Sequence, residues 1–167
     1  MSTEANKALV RQFVEEFWSS GNVAVADEMV ATDATIYVNN QEVTDIDTFK
    51  ALARSIRASF PDWHSTLEEL VAEGDKVAER WTGRGIHQGE FQGISATGRQ
   101  VAVPGTVFYR IAEGRIVEFR GQFDRMSMME QLGVLPTPSN ARIFHQRLAT
   151  GRNASIQPLR HVINGSA

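Results

Sequence analysis

The chain contains no cysteine, which removes disulfides, zinc–thiolate sites and cysteine nucleophiles from consideration. Its four histidines, His64, His87, His145 and His161, fall into no HxH, HxxxH or HExxH spacing, so no metal-ligand motif is present. A GxGxxG fingerprint with a following ribose-binding acid, a GxxxxGKS or GxxxxGKT phosphate loop and a GxSxG elbow are all missing. No stretch approaches the roughly 18 apolar residues of a membrane span, and the opening MSTEANKALVRQF has no apolar core of the kind a secretory signal needs. A cytoplasmic protein that uses neither cofactor nor metal and contacts no membrane is therefore expected. Acidic residues are absent from 134–167, where Arg142, Arg147, Arg152 and Arg160 give +4, whereas residues 1–133 carry −7 from 13 basic and 20 acidic side chains. Four arginines over 34 residues form no dense basic patch, so nucleic-acid binding is not expected. The tail reads as a basic C-terminal extension that packs on the acidic body or on a partner subunit, or stays mobile.

What is present suits one domain. At 167 residues, 42% of them hydrophobic, the chain can bury about two-thirds of its unfolded surface. Residues 3–20 place Ala5, Leu9, Val10, Phe13, Val14 and Phe17 at helical spacing, and Gly21 stops that helix. A short helix is expected over 23–31 and a strand from about Ala34, with Ile36 and Val38 on one face and Thr35, Tyr37 and Asn39 on the other. Thr44 opens a third helix whose buried stripe runs from Ile46 through Phe49, Leu52, Ala53 and Ile56 to Phe60, ending at Pro61. Four strands then follow in hairpins, with turns at Gly74-Asp75 and Glu113-Gly114. Gly83 and Gly85 fall inside a strand and suggest a bulge. Asp124 begins a last helix that Gly133 caps. Helices on one face of a curved antiparallel sheet make this an α+β fold.

The stretches FPDWHSTLEELVAEGDKVAERWTGRGIHQGEFQGISATGRQV and RIAEGRIVEFRGQFDRMSMMEQLG resemble the SnoaL-like polyketide cyclase group of the NTF2-like superfamily. The GDKV turn, GIHQGEF segment, TGR loop, EGRI hairpin and terminal D…QLG helix occur in the family's order, over about residues 5–133. The resemblance implies a cone-shaped barrel over 1–133, open at one end to a hydrophobic small molecule, and a homodimer formed through the sheet. It also implies a choice of activities: cofactor-independent ring closure of polyketides, hydroxylation, epoxide hydrolysis, or ligand binding alone. In the family's cyclases an Asp on the last strand is the acid/base group, with a Gln and a His on the neighbouring strand. Counted from the EGRI hairpin, these fall at Gly121, Gly105 and Val107, none of which titrates.

With positions 105, 107 and 121 facing inward, strand alternation also turns Val103, Tyr109, Val117, Phe119 and Phe123 toward the pocket. The two glycines are expected to leave room for a bulky flat ligand. The alternative is a solid core filled by Phe13, Phe17, Trp18 and Met29. Candidate substrate-binding residues are Trp18, Tyr37, Asn39, Trp63, Val107, Tyr109, Phe119, Gly121 and Phe123. Asp124 and His87 are the candidate catalytic residues, and each has a plain structural reading, Asp124 as a helix N-cap and His87 as a hydrogen-bonded turn residue at the rim. Two functions therefore stand: a cofactor-independent enzyme acting on a polyketide-like molecule as cyclase, isomerase or hydroxylase, or a non-catalytic ligand-binding or dimerisation protein of the same fold.

Overall fold

A computed structural model describes residues 2–135. Most of the basic extension, with His145 and His161, lies outside the described residues. Helix α1 (Thr3–Phe13) starts on Ser2, whose hydroxyl accepts from the Ala5 amide, and continues without a break into a π-helical stretch, Val14–Ser19. A 3-10 turn at Val23–Val25 leads to the single-turn helix α2 (Ala26–Met29) and then to strand β1 (Val30–Val38). The strand thus begins four residues earlier than the sequence suggests, because Val30 packs fully buried opposite Ile116. Asn39 and Asn40 both take positive φ (48° and 62°) and form a two-residue turn into β2 (Gln41–Val43), a strand the sequence reading did not foresee. Such primed turns favour Asn because its short side chain tolerates the left-handed region.

Helix α3 (Ile46–Ser59) is capped by Asp45, whose carboxylate accepts from the Thr48 amide at 2.7 Å, so the cap lies one residue beyond Thr44. Strands β3 (His64–Glu73), β4 (Lys76–Ile86), β5 (Gln100–Ala112) and β6 (Arg115–Phe123) follow, then helix α4 (Arg125–Leu132), closed by Gly133 at φ 81°. The six strands lie in the order β2-β1-β6-β5-β4-β3. All pairs are antiparallel except β1 with β6, which is parallel; β2, α3 and strands β3 to β5 lie between them in sequence.

The inner face of the curved sheet closes on the helices through a run of rings. Phe13 and Phe17 stack at 4.9 Å, Phe17 and Phe49 at 4.9 Å, and Phe49 meets Phe119 at 5.0 Å. The Tyr109 ring stands edge-on to both Phe13 and Phe119. Alternation along β5 is strict, with Val101, Val103, Gly105, Val107, Tyr109 and Ile111 buried and their neighbours turned outward. Along β6 it fails once. Arg110 pairs with Glu118 but Ile111 pairs with Ile116, so Val117 is an extra residue, half-buried, and Ile116 takes the core position expected of it.

Gly83 and Gly85 sit in regular register opposite Val103 and Val101 of β5, and Gly83 also pairs with Ser65 of β3, without the expected bulge. Their role is close approach. A Cβ on Gly83 would lie 2.1 Å from Cζ2 of Trp63, and one on Gly85 would lie 3.1 Å from Cβ of Phe60. The bare strand lets the Trp63 indole lie flat against the backbone. Replacing Gly83 by Ala is expected to cost about 1–3 kcal/mol through overpacking, read as a lower urea midpoint followed by tryptophan emission. A change below about 0.5 kcal/mol would show that Trp63 is not held this way.

Candidate active site

Between the aromatic layer and the α4 end of the sheet lies a cavity of about 80 Å³. The π-helical stretch delivers Trp18 to it, the wider turn ending where the Arg57 guanidinium collects the carbonyls of Trp18 and Ser19. Such local widening of a helix recurs at functional sites. Leu52 and Ile56 of α3 and Val38 of β1 add aliphatic wall. The sheet contributes Ser65 from β3, Glu79 and Trp81 from β4, Val107 from β5 and Phe119, Gly121 and Phe123 from β6, with Trp63 and Phe91 closing the side. Among the described residues no cationic side chain lines it.

Among the described residues Glu79 is the one ionisable group on this wall. Alternation along β4 puts it on the inner face between Val77 and Trp81, where it is 4% exposed. The Tyr109 hydroxyl donates to its Oε2 at 2.5 Å. Burial drives the Glu79 carboxyl up to about 7, against the opposing pull of the Tyr109 hydrogen bond. Burial and the neighbouring carboxylate also push the Tyr109 phenol well above its ordinary value. Desolvation disfavours the charged form of each group, so the pair shares one hydrogen bond and holds one titratable proton near neutrality.

Six of the nine substrate-binding candidates, Trp18, Trp63, Val107, Phe119, Gly121 and Phe123, lie on the cavity wall. Tyr109 stands behind it and reaches it through Glu79. Tyr37 and Asn39 do not. Tyr37 lies under the Arg120 guanidinium, 4.5 Å from the ring centre. Asn39 is a turn residue whose Oδ1 accepts from the Phe123 amide at 2.9 Å. The glycines add less room than expected. A Cβ on Gly105 would lie 2.4 Å from Cζ2 of Trp81, and one on Gly121 would lie 2.8 Å from Cε1 of Phe119, so aromatic rings already occupy that space.

Neither catalytic candidate from the sequence is on the wall. Asp124 caps α4, its Oδ1 accepting from the Ser127 amide at 2.8 Å, beside a shallow outer groove with Arg80 and Pro104. His87 is fully buried rather than at a rim. Its Nδ1 accepts from the Thr97 amide at 3.2 Å, its ring stacks on Phe60 at 5.1 Å, and its Nε2 has no partner among the described residues. It ties the loop between β4 and β5 to the end of α3. Exposed His64 sits on β3, the last strand of the sheet. Sequence reading missed Glu79, although the VAERWTG alternation carried the signal: a glutamate in phase with Val77, Trp81 and Gly83. Among the described residues no group of three or more His, Asp or Glu side chains is placed to hold a metal, and no helix is long and apolar enough to cross a membrane.

A curved mixed sheet closed by helices over an aromatic cavity defines an α+β pocket protein of the NTF2-like kind. The family model for SnoaL-like polyketide cyclase matches residues 8–132, and the chain belongs to that family. Among individual relatives, the chain is 29% identical over 151 residues to the aklanonic acid methyl ester cyclase DnrD of Streptomyces peucetius, covering 85% of this chain and 99% of DnrD. The structure of AclR, a proposed hydroxylase from Streptomyces galilaeus, superimposes with a TM-score of 0.77 at 29% identity, over 89% of this chain and 94% of that one. IdmH, a proposed polyketide cyclase from Streptomyces antibioticus, gives 0.69 at 30% identity, over 77% and 98%.

The raised Glu79 carboxyl ties stability to pH. The unfolded chain titrates this group near 4.5 and the folded chain near 7. Between those values the folded state keeps a proton that the unfolded state releases. Its contribution is complete below 4.5 and disappears as pH rises through about 7. Glu79→Gln removes the dependence, so its stability relative to wild type should rise by roughly 3 kcal/mol between pH 4.5 and 8 in urea denaturation. Parallel pH dependences for the two proteins would place Glu79 in an ordinary environment.

Proposed function

We propose that the chain is a cofactor-independent enzyme that takes a flat, uncharged, polyketide-like molecule into this cavity and rearranges it as a cyclase or isomerase. The observation that carries the reading is the cavity wall: three tryptophans and three phenylalanines with no cation among them. Aromatic faces suit a planar ligand, and a wall without a positive charge disfavours an anionic one. Family membership and the cyclase and hydroxylase relatives support the same substrate class. We carry the homodimer implied by the resemblance as part of the proposal. Phe108, 60% exposed on the outer sheet face, is the side chain such a contact would cover.

One specific observation favours the second reading, a binding protein without chemistry: Gly105, Val107 and Gly121 offer no titrating group at the positions where the resemblance expects them. Aklanonic acid methyl ester, the compound named for the Streptomyces relative, separates the alternatives. The proposal predicts saturable quenching of tryptophan emission and a product of unchanged mass. Oxygen uptake with a heavier product would make the chain a hydroxylase, and quenching without any product would make it a binding protein. Absence of quenching would contradict the cavity assignment for this class of ligand.

A further inference from the structure

We propose that Glu79, held in place by Tyr109, is the catalytic group that takes a proton from the substrate and returns it. The inference rests on the cavity reading above and adds its chemistry.

The placement is the first argument. Glu79 pairs across the strands with Val107, and Val107 pairs in turn with Gly121. The three residues form one row across the inner face, and Leu70 continues the row on the far side of Glu79. Adjacent strands are about 4.8 Å apart, so Glu79 sits about 10 Å from the Gly121 backbone and faces the same cavity. Gly121 supplies no acid, and the Phe119 ring lies within 2.8 Å of where its side chain would begin. Among the described residues, the one ionisable group the cavity offers is therefore shifted two strands toward β4.

The second argument is that Glu79 is oriented and unencumbered. Tyr109 binds Oε2 at 2.5 Å, and among the described residues nothing bonds the other oxygen. Both residues are locked by packing. Tyr109 is wedged between Phe13 and Phe119, and Glu79 is flanked on its own strand by Val77 and Trp81. The helix face opposite is Val10, Phe13, Val14 and Phe17. Among the described residues Tyr109 is thus the one titratable or charged group facing Glu79 from the strands and helix packed around it.

A carboxyl that is half ionised near pH 7 can serve as base and then as acid in one turnover. Ionised Glu79 removes a proton from a carbon beside a carbonyl, and the C–H electron pair becomes an enolate. That carbon attacks a second carbonyl, forming the C–C bond while the C=O pair moves onto oxygen. Protonated Glu79 then delivers its proton to that oxygen. The product is an isomer of the substrate, with no oxidant or other reactant needed. Tyr109 is a positioning residue, and its hydrogen bond favours the ionised base.

The test isolates proton removal from ring closure. 2-Acetylnaphthalene, a flat uncharged methyl ketone, is incubated with the full chain in D2O, and loss of its methyl proton signal is followed by NMR. Binding is read separately by tryptophan quenching. Wild type is expected to speed exchange above buffer, with a rate that rises with pH through about 7. Glu79→Gln should bind equally well and lose about 100-fold or more of the exchange rate. Tyr109→Phe, which deletes a bond that favours the carboxylate, should move the rising limb to higher pH. Exchange by E79Q at the wild-type rate, no acceleration by wild type with the probe bound, or an unmoved profile in Y109F would each overturn the proposal. If the probe does not quench, the cavity reading fails and the proposal falls with it, an outcome distinct from the other three.

Discussion

A carboxyl group on the apolar face of a closed sheet must find a hydrogen-bond donor or stay protonated, because burial of an unpaired charge costs far more than the fold can spare. In this chain the Tyr109 hydroxyl meets that demand for Glu79. The bond joins β4 to β5 under the helices, and the Tyr109 ring carries it into the stack of Phe13, Phe17, Phe49 and Phe119. Packing at one end of the inner face therefore fixes the position of the one titratable group that the described residues place on the wall of the cavity at the other. The same contact ties stability to pH and gives the site its proton.

The cavity follows from where rings stop rather than from where glycines begin. Gly105 and Gly121 first read as space, and Gly83 and Gly85 as a bulge, yet three of the four abut an aromatic side chain closer than any Cβ allows. Gly83 seats Trp63, Gly105 seats Trp81 and Gly121 seats Phe119. Small residues on the strands let large rings lie flat against the backbone, and the rings then form the wall. The π-helical stretch does the corresponding work on the helix side by delivering Trp18.

Period-two alternation was legible in β4 and β5, and the short turns at Gly74-Asp75 and Glu113-Gly114 marked the hairpins that join β3 to β4 and β5 to β6. The family motifs are carried by the same segments. Other features depend on long-range partners that no local pattern encodes. Strand β1 starts at Val30 because Ile116 lies opposite it, and β2 exists only as the return arm of the Asn39-Asn40 turn. Val117 left its expected face because one extra residue in β6 breaks the parity. Asp124 and His87 drew attention as titratable residues in motif-like settings, but local bonds claim both, one as a helix cap and one as a loop tie. Glu79 escaped notice for the opposite reason. A charged residue in a strand reads as a solvated face, and only its phase with Val77 and Trp81 said otherwise.

A single carboxyl in an aromatic cavity titrates near neutrality because it is buried, and a phenol holds it in place. Carbon-13 NMR of glutamate δ-carboxyl groups, recorded across pH on wild type and on Glu79→Gln to assign the resonance, measures this directly. One carboxyl that titrates near 7 and is missing from the variant is expected. A Glu79 resonance titrating near 4.5, with the ordinary glutamates, would contradict it.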